Sequence, residues 1–206
     1  KGQLREIEPL LLRQSQLVAQ KHGEDDPAYG TLLNDLGGLY RTLGDYDKSE
    51  SFFLNAMQIF SDSIGKEHPG YATCMNNIGE LYRLTGEYSK GEKLHLEATE
   101  IYLKTVGEEH YLHAANLNNL ALLYQDMGKF DEAEHLQDQS LEIVRRTEGE
   151  NSAIYATSLN NLAAVFMKKG DLEKAEKLIR QSLDIFLKSP SGERDPHYVA
   201  ALSSLA

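Results

Sequence analysis

The residues of this chain whose types and spacing could do chemistry are few. His110 and His113 lie three apart with Glu108 and Glu109 beside them, a spacing that can set two metal ligands on one helical turn. In steps of 42, however, His110 falls under the loop residue His68, and His113 under Tyr29, Tyr71 and Tyr155, so both read as turn and packing positions. Cys74, the single cysteine, falls under Leu32, Asn116 and Ser158 and reads as a quiet structural thiol. No Gly-rich phosphate loop, G-x-S-x-G elbow or H-E-x-x-H pair occurs. The chain is therefore expected not to be an enzyme, with no catalytic residue, no metal and no cofactor.

Recognition chemistry remains. Asn34, Asn76, Asn118 and Asn160 recur at the same interval. An amide offers both donor and acceptor, so such a ladder can hold the main chain of an extended peptide. It can equally bridge adjacent repeats, a role that Asp35, Asn77, Asn119 and Asn161 suit even better. Arg41 and Arg83 share one column and could bind carboxylates through paired hydrogen bonds, or pair with Glu80 or solvent. Leu84, Leu122 and Met167 give the same strip an apolar lining where a bulky side chain could anchor.

Positioning these residues requires helices. LNDLGGLY from Leu33, MNNIGELY from Met75, LNNLALLY from Leu117 and LNNLAAVF from Leu159 are four copies of one octet, spaced 42 residues apart. Gly44, Gly86, Gly128 and Gly170 keep step, as do Ile59, Ile101, Ile143 and Ile185. Each copy carries two apolar segments of helical period, the first around Leu33, Leu36 and Tyr40, the second around Phe52, Phe53, Ala56, Ile59 and Phe60. Pro27, Pro69 and Pro196 open first helices, with Asp26 and Asp195 as candidate caps, and the glycine columns close them. His95 and Gln137 take the core column of Phe53, where Ile179 restores an apolar residue; both are expected to be partly buried.

The register predicts a single array over 1–206: a second helix of a partial repeat at 4–25, full repeats at 26–67, 68–109, 110–151 and 152–194, and a first helix at 195–206. The chain thus begins and ends inside repeats and reads as a piece of a longer protein. One hairpin cannot cover its own apolar face, so neighbouring copies must stack.

The pattern L-x2-L-G-x2-Y from Leu33 to Tyr40, followed by S-x3-F from Ser49 to Phe53, resembles the tetratricopeptide repeat. Each copy is eight residues longer than the family's usual 34. That length, with HP-x-Y-A from His68 to Ala72 and L-N-N-L-A inside, resembles the repeats of kinesin light chains. The resemblance implies an all-α, right-handed solenoid of antiparallel helix pairs whose concave groove binds extended or helical peptides. It is specific for fold and weak for function.

A wheel at 100° per residue places Leu36, Gly37 and Tyr40 within about 60° of Leu33, and Leu32, Leu39 and Leu43 on a second packing face. Thr31, Asn34, Asp35, Gly38, Arg41 and Thr42 are left as a polar strip, which the resemblance assigns to the groove. The candidate peptide-binding residues are Asn34, Arg41, Asn76, Glu80, Arg83, Leu84, Asn118, Leu122, Gln125, Asn160 and Met167. Kinesin light chain repeats are similar in preferring a tryptophan flanked by acidic residues, which implies an acidic peptide with one bulky apolar anchor.

With 32 acidic and 21 basic residues the net charge is −11, which disfavours nucleic acid and anionic membrane as partners. No apolar run approaches the roughly 20 residues of a membrane span. One cysteine excludes an internal disulfide and fits a reducing compartment, so a cytoplasmic location is expected. The function expected is a protein-interaction scaffold. Its rivals are the sensor arm of a larger effector that gates an enzyme elsewhere in the chain, and a structural spacer without ligand. Uncovered leucines and valines at the two ends (Leu10, Leu11, Leu17 and Val18; Val199, Leu202 and Leu205) predict end-to-end self-association.

Overall fold

The computed structural model describes residues 2–188, 192 and 196–203, and among these every helix is an α-helix and no strand occurs. The cap proposed at Asp195 and the end residue Leu205 lie outside the described residues. By internal contacts the chain forms two compact units, Lys1–Thr105 and Val106–Ala206.

The first unit contains α1 (Gly2–His22), α2 (Pro27–Leu43), α3 (Tyr46–Ser63), α4 (Pro69–Leu84) and α5 (Tyr88–Thr105). Two-helix hairpins follow from the punctuation. Asp26 caps α2 by accepting from the Ala28 amide at 2.8 Å, and Pro27 stands at its first turn, where a missing N–H is harmless. Gly44 then takes φ +86, left-handed backbone that a side chain resists, and its amide returns to the carbonyls of Tyr40 and Arg41. The same stop recurs at Gly86 with φ +81. Leu33, Leu36, Tyr40, Ala56, Phe60 and Cys74 form one buried cluster, and Phe53, Ile78 and Leu81 another. Leu11 of α1 packs against the former, so it is part of the core and not an uncovered end residue. Tyr40 and Tyr82 tie each first helix to the second helix before it, donating to Glu8 at 2.6 Å and Glu50 at 2.8 Å.

The second unit contains α6 (Tyr111–Asp126), α7 (Phe130–Glu148), α8 (Ala153–Lys169), α9 (Leu172–Lys188) and α10 (Pro196–Ser203). Its core joins Leu117, Ile143, Val144, Tyr155, Leu159, Ile185 and Phe186. Here Phe166 has no hydroxyl to offer Glu134, which instead pairs with Lys169.

Two expectations about histidine change. His68 and His110 do not merely sit in loops: each caps a helix, its Nδ1 accepting from the amide of Gly70 at 3.0 Å or Leu112 at 3.2 Å. His95 and Gln137 are not partly but wholly buried, each 0% exposed. His95 fits because Gly79 leaves room: a Cβ there would lie 2.8 Å from its Nε2.

Candidate functional site

The polar strip of the first helices holds the residues expected to meet a partner, and each unit carries its own stretch. In the first unit Thr31 and Asp35 face solvent while Asn34, Gly38 and Arg41 are half-buried. The Asn77 amide donates to Asn34 Oδ1 at 2.8 Å, so this rung joins α4 to α2. Asn76 is buried. Arg83 grips Glu80 with two parallel bonds of 2.7 and 2.9 Å, and both side chains are largely shielded, at 17% and 15% exposure.

Arg41 is differently placed. Its guanidinium carbon lies 6.0 Å from the centre of the Phe53 ring, and its Nη1 is buried with no hydrogen-bond partner. Burial holds its pKa below the usual arginine value; Glu80 opposes that shift and Arg83 adds to it. Arg83 and Glu80 pair with one another, so this half-buried cluster keeps one net positive charge, on Arg41. Leu84, 40% exposed, completes the stretch as an apolar contact surface.

In the second unit the ladder is bonded more completely. Asn118 Oδ1 accepts from Asn161 at 2.7 Å and from the buried Gln137 at 3.1 Å. Asn160 Oδ1 accepts from Ser182 at 2.5 Å. The amides of both units thus bridge helices, and what they keep for a ligand is spare capacity, not a free group. Gln125, in the column of Arg41 and Arg83, has a buried Nε2 with no partner. Leu122 is half-buried and Met167 is 40% exposed. Sequence reasoning missed a cavity of about 380 Å³ between α6, α7 and α8, walled by Ala115, Asn118, Val144 and Thr157. Its signal was available in the register: among the four full repeats, Val144 is the one non-aromatic residue in the column of Phe60, Tyr102 and Phe186.

Groups with reactive potential are accounted for. Cys74 is fully buried among apolar residues, and burial pushes its thiol up to about 12. His113 is buried and its Nδ1 is engaged with the Glu108 carbonyl at 2.9 Å. Among the described residues no three His, Cys, Asp or Glu side chains converge on a metal position. No helix among them is long and apolar enough to cross a membrane.

The tetratricopeptide repeat family model matches residues 30–104 and 112–188. No curated protein matches the chain in sequence. Among solved structures it is similar to BtubC (BKLC) from P. vanneervenii, with TM-score 0.72 and 28% identity over 89% of this chain and 73% of that one. It is also similar to a Podosopora anserina protein described as a kinesin light chain with nearly identical TPR-like repeats, with TM-score 0.66 and 23% identity over 92% and 90% of the two chains. The apo form of RapI superposes with TM-score 0.75 at 17% identity over 98% of this chain and 69% of that one. The last two, at such identities, speak to fold alone.

Proposed function

Because the chain belongs to the tetratricopeptide repeat family, we propose that it is a protein-interaction scaffold that holds a segment of a partner along the polar strips of its first helices and carries no chemistry of its own. In the first unit the segment is acidic. The observation that carries this is Arg41: a half-buried cation whose Nη1 lacks an acceptor, beside an Arg83–Glu80 pair that is already satisfied. With the guanidinium turned toward the strip, a ligand carboxylate supplies the acceptor that Nη1 lacks inside, through a charge-assisted bond. Leu84 gives the neighbouring apolar residue of the ligand a surface to cover. The candidate residues Asn34, Asn76, Glu80, Asn118, Leu122, Gln125, Asn160 and Met167 then line the path, with the amides contributing only their unused donors and acceptors.

The reading includes one continuous array over 1–206, which rests on the register of the repeats, and a cytoplasmic setting. It also includes end-to-end association through exposed Leu10, Leu17, Val199 and Leu202. A sensor arm in a larger effector would use the same strip, whereas a spacer would not.

The test uses a fluorescently labelled peptide with one tryptophan between aspartates, titrated with the unmodified chain and with Arg41→Met. Loss of a charged hydrogen bond worth about 1.5–3 kcal/mol weakens binding roughly 10- to 100-fold. The unfolding midpoint of Arg41→Met should stay level or rise, because a desolvated charge without a partner is removed. Equal binding by the two proteins, or equal binding of the peptide with asparagines in place of aspartates, would refute the acidic reading.

A further inference from the structure

The cavity of the second unit lies where one full repeat lacks a ring that the other three full repeats supply from within; Val18, in the same column, belongs to the partial repeat. In the column of Val144 stand Phe60, Tyr102 and Phe186. Tyr102 and Phe186 are 0% exposed, and Phe60 is 6% exposed and packs against Gly30 and Gly70. Tyr102 closes onto Thr73, their hydroxyls 3.1 Å apart. In the third repeat both partners of that contact are cut back, Tyr102 to Val144 and Thr73 to Ala115, and these two residues wall the cavity. Ala115 is left exposed, whereas Thr73 is half-buried. Elsewhere in the walls the hydroxyls are occupied by backbone carbonyls, Ser140 on Ala114 at 2.9 Å and Thr157 on Ala153 at 2.9 Å. Thr147 and Ser158 are likewise bonded to carbonyls, and the amides of Asn118, Asn119 and Asn161 bond one another, so the polar groups of the walls are engaged and Ala115, Val144 and Ile154 offer a carbon surface.

Charge marks the mouth. Glu148 lines it where the aligned residues are Ile64 and Val106. It is exposed, and it makes no ion pair among the described residues. The arginines of the same turn are committed elsewhere, Arg145 to Glu142 and Glu150, and Arg146 to Glu142 and Glu109. Glu148 is also the last residue of α7, where the helix dipole adds to its negative field. Tyr111 and Ile154, 60% and 53% exposed, form the rest of the rim, so the ring position is reachable from solvent.

We infer that the cavity between α6, α7 and α8 accepts an aromatic side chain of a partner protein, in the place filled by Phe60, Tyr102 and Phe186 in the other full repeats, with a basic residue next to it on Glu148. This is a second contact, distinct from the acidic one at Arg41, and it does not depend on that reading. The ring is held by the walls and the cation selects the sequence around it.

The test titrates the whole isotope-labelled chain with capped glycyl-phenylalanyl-arginyl-glycine and follows amide chemical shifts. The expected result is saturable shifts at Ala115, Val144 and Thr157. Replacing the peptide's phenylalanine by alanine abolishes them. Replacing its arginine by glutamate, or Glu148→Gln in the protein, weakens binding about two- to five-fold. Val144→Phe fills the cavity from within and removes the saturable shifts, and Ala115→Thr/Val144→Tyr, which rebuilds the Thr73–Tyr102 pair, does the same. The inference is overturned if a folded, unmodified chain shows no saturable shift at these three amides. It is also overturned if the alanine peptide binds equally, or if either filled variant, folded by circular dichroism, binds as before.

Discussion

Gly37 and Gly38 are neighbours on α2 with opposite duties. A Cβ on Gly37 would lie 2.5 Å from a Phe53 ring carbon, whereas one on Gly38 meets nothing within 4 Å. Gly37→Ala should therefore cost about 1–3 kcal/mol through overpacking. Gly38→Ala should add about 0.5–1 kcal/mol, because it only removes helix-interior glycine. Urea titrations followed by circular dichroism distinguish the two, and equal effects would mean that Phe53 is not seated as described. The tyrosines make a prediction about pH. The bond to Glu8, and secondly burial, holds Tyr40 up to about 12; burial, and secondly Glu50, does the same for Tyr82. Between pH 10 and 12 the unfolded chain then loses these protons while the folded chain keeps them. The stability they confer is complete below about pH 10 and falls as the pH rises toward 12. Thermal melts across that range should show the decline, and Tyr40→Phe/Tyr82→Phe should flatten it. The small-residue requirement at Gly37 was legible in sequence, since it recurs in a packing column. The orphan donor on Arg41 was not, because nothing in the column says that Arg83 takes Glu80 for itself.

Helix boundaries were the most readable feature, because proline, aspartate and glycine act on the backbone locally and the register repeats them. Gly44 and Gly170 end helices with φ near +86 and +82 as their column predicts. The amide ladder was less readable: Asn77 meets Asn34 and Asn161 meets Asn118, contacts between different columns 43 residues apart that no single-column comparison reveals. The cap function of His68 and His110 was equally hidden, since histidine is an unusual cap and only the Nδ1 geometry discloses it. The ladder yields its own prediction. Asn118→Ala leaves the buried Gln137 donor and Asn161 without their acceptor and should cost about 1–3 kcal/mol. Asn160→Ala should cost less, because Ser182 keeps a second acceptor in the Ile179 carbonyl at 3.0 Å. Equal unfolding midpoints for the two variants would contradict the bridging role. Asparagine substitutions therefore cannot test ligand binding without a parallel stability measurement, whereas Arg41→Met can.

For the molecule as a whole, stacked hairpins place most contacts between sequence neighbours, so unfolding should be less than all-or-none and begin away from the best-packed cores. Exposure of Leu10 at 67% and Leu17 at 56% on α1, and of Val199 at 54% and Leu202 at 49% on α10, leaves apolar surface at both ends of the described chain. Sedimentation should show a mass that rises with concentration, and Leu10→Lys/Leu17→Lys should suppress the rise. A single monomeric species at all concentrations would remove self-association from the account. The repeat architecture was legible from the period alone, yet the period is silent on what is bound: Arg41 keeps the column of Arg83 while its bonding differs, and Val144 departs from the aromatic column of the full repeats.

The most direct measurement is affinity capture from a lysate of the source organism, comparing the unmodified chain with Arg41→Glu/Arg83→Glu and with a charge reversal outside the strip, Lys93→Glu. The account predicts a partner that is retained by the unmodified chain and by Lys93→Glu and lost by the strip variant, with all three proteins equally helical. A partner retained by all three would contradict recognition through the first-helix strip and leave a spacer as the better description.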